Sequence, residues 1–209
     1  MALFMPLFPL QIVVFPNENL NLHIFEPRYK ELINECEEVG STFGIPAYLD
    51  GKVQSVGTEI RVLKVAKRHK NGEMDIKTKG VGLFRISQFH RSVPGKLYSG
   101  ADIERIEFDM KGEPALYESI LDLMTELFKI LNIQKELPEE GFDTYSVAHH
   151  IGLTVEQEYE LLCIPSEYDR QVYIRTTPMR LIPIVAEMER LREKVQMNGH
   201  FKNIIPPKL

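Results

Sequence analysis

The feature that most constrains the fold is a change in the spacing of apolar residues near residue 110. Before this point apolar and polar residues alternate, as in β-strands, and after it apolar residues recur every three or four positions, as in amphipathic helices. The change coincides with Lys111-Gly112-Glu113-Pro114, a stretch of turn-forming residues. The pattern therefore predicts an α+β fold with a strand-rich part over residues 1–110 and a helical part over residues 111–209.

The beginning of the chain is predicted to contain two strands and one helix. Apolar runs at residues 10–15 and 20–25 predict strands joined by a short turn. Pro27 suits the first turn of a helix, and Gly40 is a residue that commonly ends one. One amphipathic helix is therefore inserted among the strands.

The rest of the first part is predicted to form β-hairpins. Asp50-Gly51 and Asn71-Gly72 are the dipeptides that most strongly favour tight hairpin turns. After the second turn, Gly80 and Gly82 share the even-numbered phase of the apolar residues, which indicates a long, bent strand. A phase slip at residues 60–65 indicates a β-bulge in the partner strand. Together these features predict a twisted β-barrel with one inserted helix.

The second part is predicted to be a helical bundle. An apolar stripe from Leu116 to Leu131 predicts one helix, and a capping box at Thr154–Gln157 predicts the start of another. Residues 138–141 are predicted to form a loop between them. Pro178 and Pro183 are expected to restart or kink the last helical stretch.

Composition and charge argue against several classes of protein. The net charge of −5 at pH 7 arises in the second part, which gives little electrostatic reason to hold a phosphate backbone. The chain contains no run of about 20 apolar residues, and no Lys or Arg precedes Arg28 as a signal peptide would require. Cys36 and Cys163 form neither a disulfide framework nor a metal-binding motif. The sequence thus predicts a cytoplasmic protein with no membrane partner.

The opening segment resembles the signature of a known family. It is similar to the start of the N-terminal, substrate-binding domain of Lon proteases, especially stand-alone bacterial proteins that consist of that domain alone. The resemblance implies a barrel like that of pseudouridine synthase and archaeosine transglycosylase (PUA-like), followed by a helical bundle. Asn17 stands where the family often has Gly. The residues that carry the resemblance are Pro6, Leu7, Phe8, Pro9, Leu10, Phe15, Pro16, Leu22, His23, Phe25, Glu26, Pro27, Arg28 and Tyr29.

The resemblance implies a non-catalytic module that binds unfolded or extended polypeptides. It also implies an adaptor role in protein quality control, with an ATP-dependent protease as a partner. The sequence has no phosphate-binding G-x-x-x-x-G-K-[ST] loop and no length for a peptidase module, so we expect no cofactor, no metal and no enzymatic activity. The predicted polypeptide contacts are Phe25, Arg28 and Tyr29, and the predicted structural residues are Phe15, Pro16, His23, Glu26 and Pro27.

Two alternative functions remain open from the sequence. The first is a nucleic-acid-binding PUA-like module that uses the cations of residues 61–70, although a charged hairpin protecting a sheet edge is the favoured interpretation of that segment. The second is an enzyme that uses His149, His150 or Cys163. Adjacent histidines on a helix point about 100° apart, which favours one half-buried and one exposed imidazole over a shared metal site.

Overall fold

The computed structural model describes residues 3–134 and 143–200, over which the chain forms a six-stranded sheet and five α-helices. The predicted loop at residues 138–141 lies outside the described residues. A 3₁₀ turn spans Ala148–His150. The strands are β1 (Leu3–Leu7), β2 (Asn19–Ile24), β3 (Thr42–Leu49), β4 (Lys52–Arg68), β5 (Met74–His90) and β6 (Ser99–Ile106), and the helices are α1 (Pro27–Val39), α2 (Pro114–Ile130), α3 (Thr144–Val147), α4 (Val155–Leu162) and α5 (Glu167–His200).

The strand pairings form a closed cycle. The order across the sheet is β2-β5-β4-β3-β1-β6, and β6 also pairs with β5. All pairings are antiparallel except that between β1 and β3, which is parallel. Five strands therefore each have a partner on both sides, while β2 lies outside the cycle on β5.

Both predicted hairpin turns are present, and their backbone geometry explains their sequences. Asp50 and Gly51 have φ values of 49° and 74°, and Gly72 has a φ of 79°. Asp, Asn and Gly are the residues that adopt this left-handed region at low cost. The β4–β5 register also shifts three times, between Glu59 and Ile60, and again at residues 62–64 and 65–67. The predicted bulge is thus confirmed, with two further shifts beside it.

The prediction of a strand over residues 10–15 is wrong. The first strand is Leu3–Leu7, whereas residues 13–15 have no regular structure. Val13, Val14 and Phe15 are all buried, although successive side chains of a strand point to opposite faces. Side chains from elsewhere satisfy the backbone here: Thr58 Oγ1 donates a hydrogen bond to the Val14 carbonyl oxygen. The apolar run therefore indicates a buried segment and not a sheet element.

Gly80 allows this buried segment to pack closely against β5. The Gly80 nitrogen donates to the Glu18 carbonyl oxygen at 2.9 Å, and the Asn17 nitrogen donates to the Gly80 carbonyl oxygen at 3.0 Å. A Cβ atom on Gly80 would lie 2.4 Å from the Phe15 carbonyl oxygen. Asn17 has a φ of 66°, in the left-handed region that Gly adopts freely and Asn tolerates.

The predicted helix boundaries agree with the structure for α1 and α4. Pro27 occupies the first turn of α1, and Gly40 ends it with a φ of 66°. Thr154 and Gln157 form the capping box that begins α4. The helix α5, in contrast, continues through both Pro178 and Pro183, so neither proline restarts the helix.

The strand-rich and helical parts share one apolar core. Phe15 stacks on Tyr145 with ring centroids 5.0 Å apart, and Val56 and Leu83 of the sheet belong to the same buried cluster as Ile174 of α5. A second buried cluster lies between α1 and the sheet. The division of the chain into two domains, at residues 110 and 111, stays a prediction. One buried cluster contains residues from both sides of this boundary.

Candidate functional site

A cleft opens where β4 and β5 separate. Their pairing ends with Val56 opposite Arg85. Beyond this point residues 52–53 of β4 remain paired with β3, and residues 86–90 of β5 remain paired with β6. The two strand segments thus diverge, and a cleft of about 1190 Å³ lies beside them. We call it the strand-gap cleft.

Tyr159 of α4 contacts β4 at the position where the pairing of β4 with β5 ends. Its hydroxyl oxygen accepts a hydrogen bond from the Val56 nitrogen at 3.2 Å and lies 3.4 Å from Ser55 Oγ. Burial raises the pKa of Tyr159, so the hydroxyl keeps its proton at neutral pH. The helical part therefore contacts the sheet at the position where the two strands separate.

The lining of the strand-gap cleft combines exposed apolar groups with cations. Tyr48, Phe89 and Leu97 are 39%, 42% and 65% exposed. Among the described residues that line the cleft, none carries a carboxylate side chain. Large exposed apolar side chains beside unpaired strand edges are a feature of binding surfaces. The remaining lining residues are Pro9, Leu10, Gln11, Arg28, Tyr29, Gly51, Lys52, Val53, Gln54, Ser55, Ile86, Arg91 and Ser99.

Helix α1 holds the loop that carries Leu97. The Leu97 nitrogen donates to Glu31 Oε2 at 3.0 Å, while Glu35 accepts from Lys96 Nζ and from the Tyr98 hydroxyl, both at 2.6 Å. The hydrogen bond from Lys96 lowers the pKa of Glu35, and that from Tyr98 lowers it further. One wall of the cleft is thus fixed by contacts between elements that are distant in sequence.

Comparison with known proteins identifies the family. A model of the ATP-dependent protease La (LON) substrate-binding domain matches residues 5–176. The chain belongs to the Lon substrate-binding domain family. The fold is similar to that of a Lon N-terminal domain protein from Xanthomonas campestris, with a TM-score of 0.63, 23% identity, and coverage of 80% of this chain and 94% of that chain.

A second solved structure supports the same fold. The N-terminal domain of a Mycobacterium avium complex Lon protease has a TM-score of 0.61 and 13% identity, with coverage of 84% of this chain and 98% of that chain.

Among the described helices, none has the length and apolar character that a membrane crossing requires.

The structure brings two of the three predicted contact residues to the strand-gap cleft. Arg28 and Tyr29 line it, and the Arg28 guanidinium lies 4.5 Å from the centroid of the Tyr29 ring. Tyr29 is only 6% exposed, because it stacks on Phe8 with ring centroids 3.7 Å apart. Phe25 is 58% exposed but lies outside the cleft lining, beside His23. Their role in binding stays a prediction.

Of the residues predicted to be structural, Phe15 and Pro16 are buried before β2, and Pro27 begins α1. Glu26, directly before α1, accepts a hydrogen bond from Arg28 Nε at 2.8 Å. The sequence did not lead us to predict that Phe89 and Leu97 line the cleft. Leu97 lies two residues after the Pro94-Gly95 turn, and an apolar residue so close to a turn can indicate an exposed apolar group.

The histidine and cysteine alternative lacks a reactive pair. His149 is hydrogen-bonded to Glu158 at 2.7 Å and to Glu18 at 3.2 Å, on the opposite ring nitrogen. Burial raises the pKa of the Cys163 thiol, whereas a nucleophilic cysteine needs a lowered pKa. These contacts indicate a structural role for His149.

The basic segment at residues 61–70 lies at a sheet edge. The pairing of β3 with β4 ends with Thr42 opposite Arg61, so the remainder of β4 extends beyond β3. Arg68 in this extension is hydrogen-bonded to Asn34 and Glu37 of α1. This arrangement agrees with the expectation of a charged edge, and part of its charge is neutralised by α1.

Proposed function

We propose that this chain binds extended segments of other polypeptides in the strand-gap cleft, without a catalytic step. The observation that carries the proposal is the end of the β4–β5 pairing at Val56 and Arg85, beside which two strand edges border an open cleft. Unpaired main-chain groups of a strand edge can pair with any extended peptide, because backbone hydrogen bonds do not depend on the side chains. Such pairing suits a module that must accept many sequences.

The side chains of the cleft define the preferred class of polypeptide. Phe89 and Leu97 offer apolar contacts, and Lys52 and Arg91 offer positive charge, whereas Arg28 is paired with Glu26. The described lining residues include no carboxylate. We therefore expect segments in which apolar residues lie beside an acidic residue or a free C-terminal carboxylate. Affinity should be weak and degenerate, because broad recognition excludes deep, specific pockets.

The finer aspects of the fold and the cellular role belong to the same proposal. The closed cycle of five strand pairings supports a PUA-like barrel, and the described helices after residue 110 support a helical bundle packed against it. We infer that bound polypeptides are passed to an ATP-dependent protease in the cytoplasm. The description of the matching family, a substrate-binding domain of such a protease, supports this role.

A binding assay tests the proposed cleft. We would measure the fluorescence anisotropy of a labelled, permanently unfolded polypeptide, such as reduced and carboxymethylated casein, with the purified chain. The double variant Phe89→Ser/Leu97→Ser should weaken binding by roughly tenfold or more, because it removes the two most exposed of the large apolar side chains in the cleft. The control is Val81→Ser. Val81 is an exposed apolar residue of β5, as Phe89 is, but it lies outside the cleft, so the change should leave affinity unchanged.

Equal binding by the double variant and the unmodified chain would refute the cleft as the site. The single variants Arg28→Gln and Phe25→Ser test, one at a time, two of the polypeptide contacts that the family resemblance implied. If Arg28→Gln weakens binding while Phe25→Ser does not, the cleft is the contact surface; the reverse result would move the site to the surface around His23. Tyr29 is better changed to Phe than to Ala, because its ring is buried against Phe8.

A further inference from the structure

Three side chains with metal-ligating atoms converge at the tip of the β4–β5 hairpin, and Glu73 contacts one of them from its other side. His23 Nδ1 lies 2.7 Å from Asp75 Oδ1, and His69 Nε2 lies 2.8 Å from Asp75 Oδ2. His23 Nε2 lies 3.1 Å from Glu73 Oε2. One ligand atom from each of His23, His69 and Asp75 lies within 4.8 Å of the other two. We call these four residues the hairpin-tip cluster, and none of them lines the strand-gap cleft.

The backbone fixes the hairpin-tip cluster in place. The β2–β5 register sets His23 directly opposite Asp75, so their side chains share one face of the sheet. The turn is closed by two backbone hydrogen bonds, from the His69 nitrogen to the Glu73 carbonyl oxygen at 2.8 Å and from the Gly72 nitrogen to the His69 carbonyl oxygen at 3.0 Å. The residues of the cluster therefore come from two paired strands and one tight turn.

A second histidine–carboxylate pair on the same sheet shows what distinguishes this cluster. His90 Nε2 lies 2.9 Å from Asp102 Oδ2, and this is a single imidazole beside a single carboxylate. In the hairpin-tip cluster, two imidazoles converge on the same carboxylate, and a second carboxylate contacts His23. An isolated ion pair explains the first arrangement, whereas the second supplies three protein ligands, as in metal sites that keep a fourth position for water.

We infer that the hairpin-tip cluster binds a divalent transition-metal ion through His23, His69 and Asp75, with water as a further ligand. Two imidazoles and one carboxylate suit Zn²⁺, Ni²⁺ or Cu²⁺, whereas Mg²⁺ and Ca²⁺ prefer oxygen donors alone. Glu73 contacts His23 Nε2, on the side of the ring opposite Asp75, where it can orient the imidazole. The bound ion would join β2 to the hairpin tip, next to the start of α1.

Metal titration of the untagged full chain tests this inference. Calorimetry with Zn²⁺ should give one ion per chain, reversed by a chelator, and Co²⁺ should give the visible absorption of a tetrahedral complex. His23→Gln and His69→Gln should each weaken Zn²⁺ binding by more than about tenfold. Both side chains lie at the surface, so the variants should keep the fold, as circular dichroism would verify.

His90→Gln is the matched control, because it removes an imidazole from a carboxylate pair that has no second histidine. It should bind Zn²⁺ as the unmodified chain does. The inference is overturned if the unmodified chain binds no Zn²⁺ at micromolar concentrations, or if His23→Gln and His69→Gln bind as well as His90→Gln. The outcome is independent of polypeptide binding, since the cluster and the cleft share no residue.

Discussion

At the scale of single residues, His149 links the helical part to the N-terminal segment. Its two ring nitrogens contact Glu158 of α4 and Glu18, and its ring packs on Phe15 with centroids 4.9 Å apart. The hydrogen bond to Glu158 and then that to Glu18 raise the pKa of His149 to about 9, against the opposing effect of burial. The imidazolium form is therefore the one that the fold stabilises.

This pKa shift predicts that the protein loses stability above neutral pH. The stabilisation by His149 is fully present below its unfolded pKa of about 6.5 and is lost as the pH rises through about 9. We expect a loss of about 1–2 kcal/mol in the free energy of unfolding between these values, less than the full shift would give, since the ring is one-third exposed. Urea unfolding at a series of pH values measures it.

The variant His149→Gln supplies the comparison for this measurement. It should be less stable than the unmodified chain at pH 6, and the difference should shrink as the pH approaches 9.5, because the neutral imidazole gains little from the two carboxylates. A difference that stays constant over this range would show that His149 acts through packing on Phe15 alone.

At the scale of elements, the features that the sequence predicts correctly are those that neighbouring residues determine. Asp50-Gly51 and the Thr154–Gln157 capping box involve neighbouring residues, and both appear where expected. Residues 13–15 were mistaken for a strand because their burial depends on Thr58 and on α3, which are distant in sequence. The strand-gap cleft was likewise not predictable, since it depends on where two long strands stop pairing.

Gly80 and Gly82 illustrate this limit. The sequence treats them alike, as two glycines that let one strand bend, but their surroundings differ. A Cβ on Gly80 would lie 2.4 Å from the Phe15 carbonyl oxygen, whereas the nearest atom to a Cβ on Gly82 is Glu59 Oε2 at 3.8 Å. Only the first distance requires the neighbouring backbone to move. Gly80 is therefore constrained by packing, while Gly82 has room for a side chain.

The two alanine variants are predicted to differ in stability. Gly80→Ala should lower the free energy of unfolding by about 2–3 kcal/mol, because the segment that contains Phe15 must move away from β5. Gly82→Ala should change it by less than about 1 kcal/mol. Chemical denaturation of both variants measures the difference, and equal losses would mean that strand curvature, and not the close approach of Phe15, requires the glycines.

At the scale of the whole molecule, a buried ion pair of α5 joins α2 and α3 to the segments that follow β6 and α4. Arg170 and Glu167 of α5 are both fully buried, with Arg170 Nη2 at 2.7 Å from Glu167 Oε2. Glu167 also accepts hydrogen bonds from the Tyr117 hydroxyl of α2 at 2.9 Å and the Thr144 nitrogen of α3 at 2.8 Å. Arg170 donates to the carbonyl oxygens of Ile164, Pro165 and Asp109, which lie after α4 and after β6.

This network and the shared core predict that the two parts of the chain unfold together. A buried carboxylate that loses its partner keeps its desolvation cost, so Arg170→Ala should lower the free energy of unfolding by about 3–5 kcal/mol. Arg192→Ala is the matched control: it also breaks a pair with a Glu three residues earlier, but at the surface, where the loss should be below about 1 kcal/mol.

The same unfolding curves report on cooperativity. Far-ultraviolet circular dichroism follows the helices, and the reactivity of the buried Cys36 thiol towards a thiol reagent, in a chain that carries Cys163→Ser, follows the opening of the strand-rich part. Because Phe15, Val56 and Leu83 share their core with the helices, both signals should give one midpoint, and Arg170→Ala should lower both equally. If the helical signal alone shifted to lower denaturant, residues 1–110 would be a separate folding unit, and the shared core would contribute little to their stability.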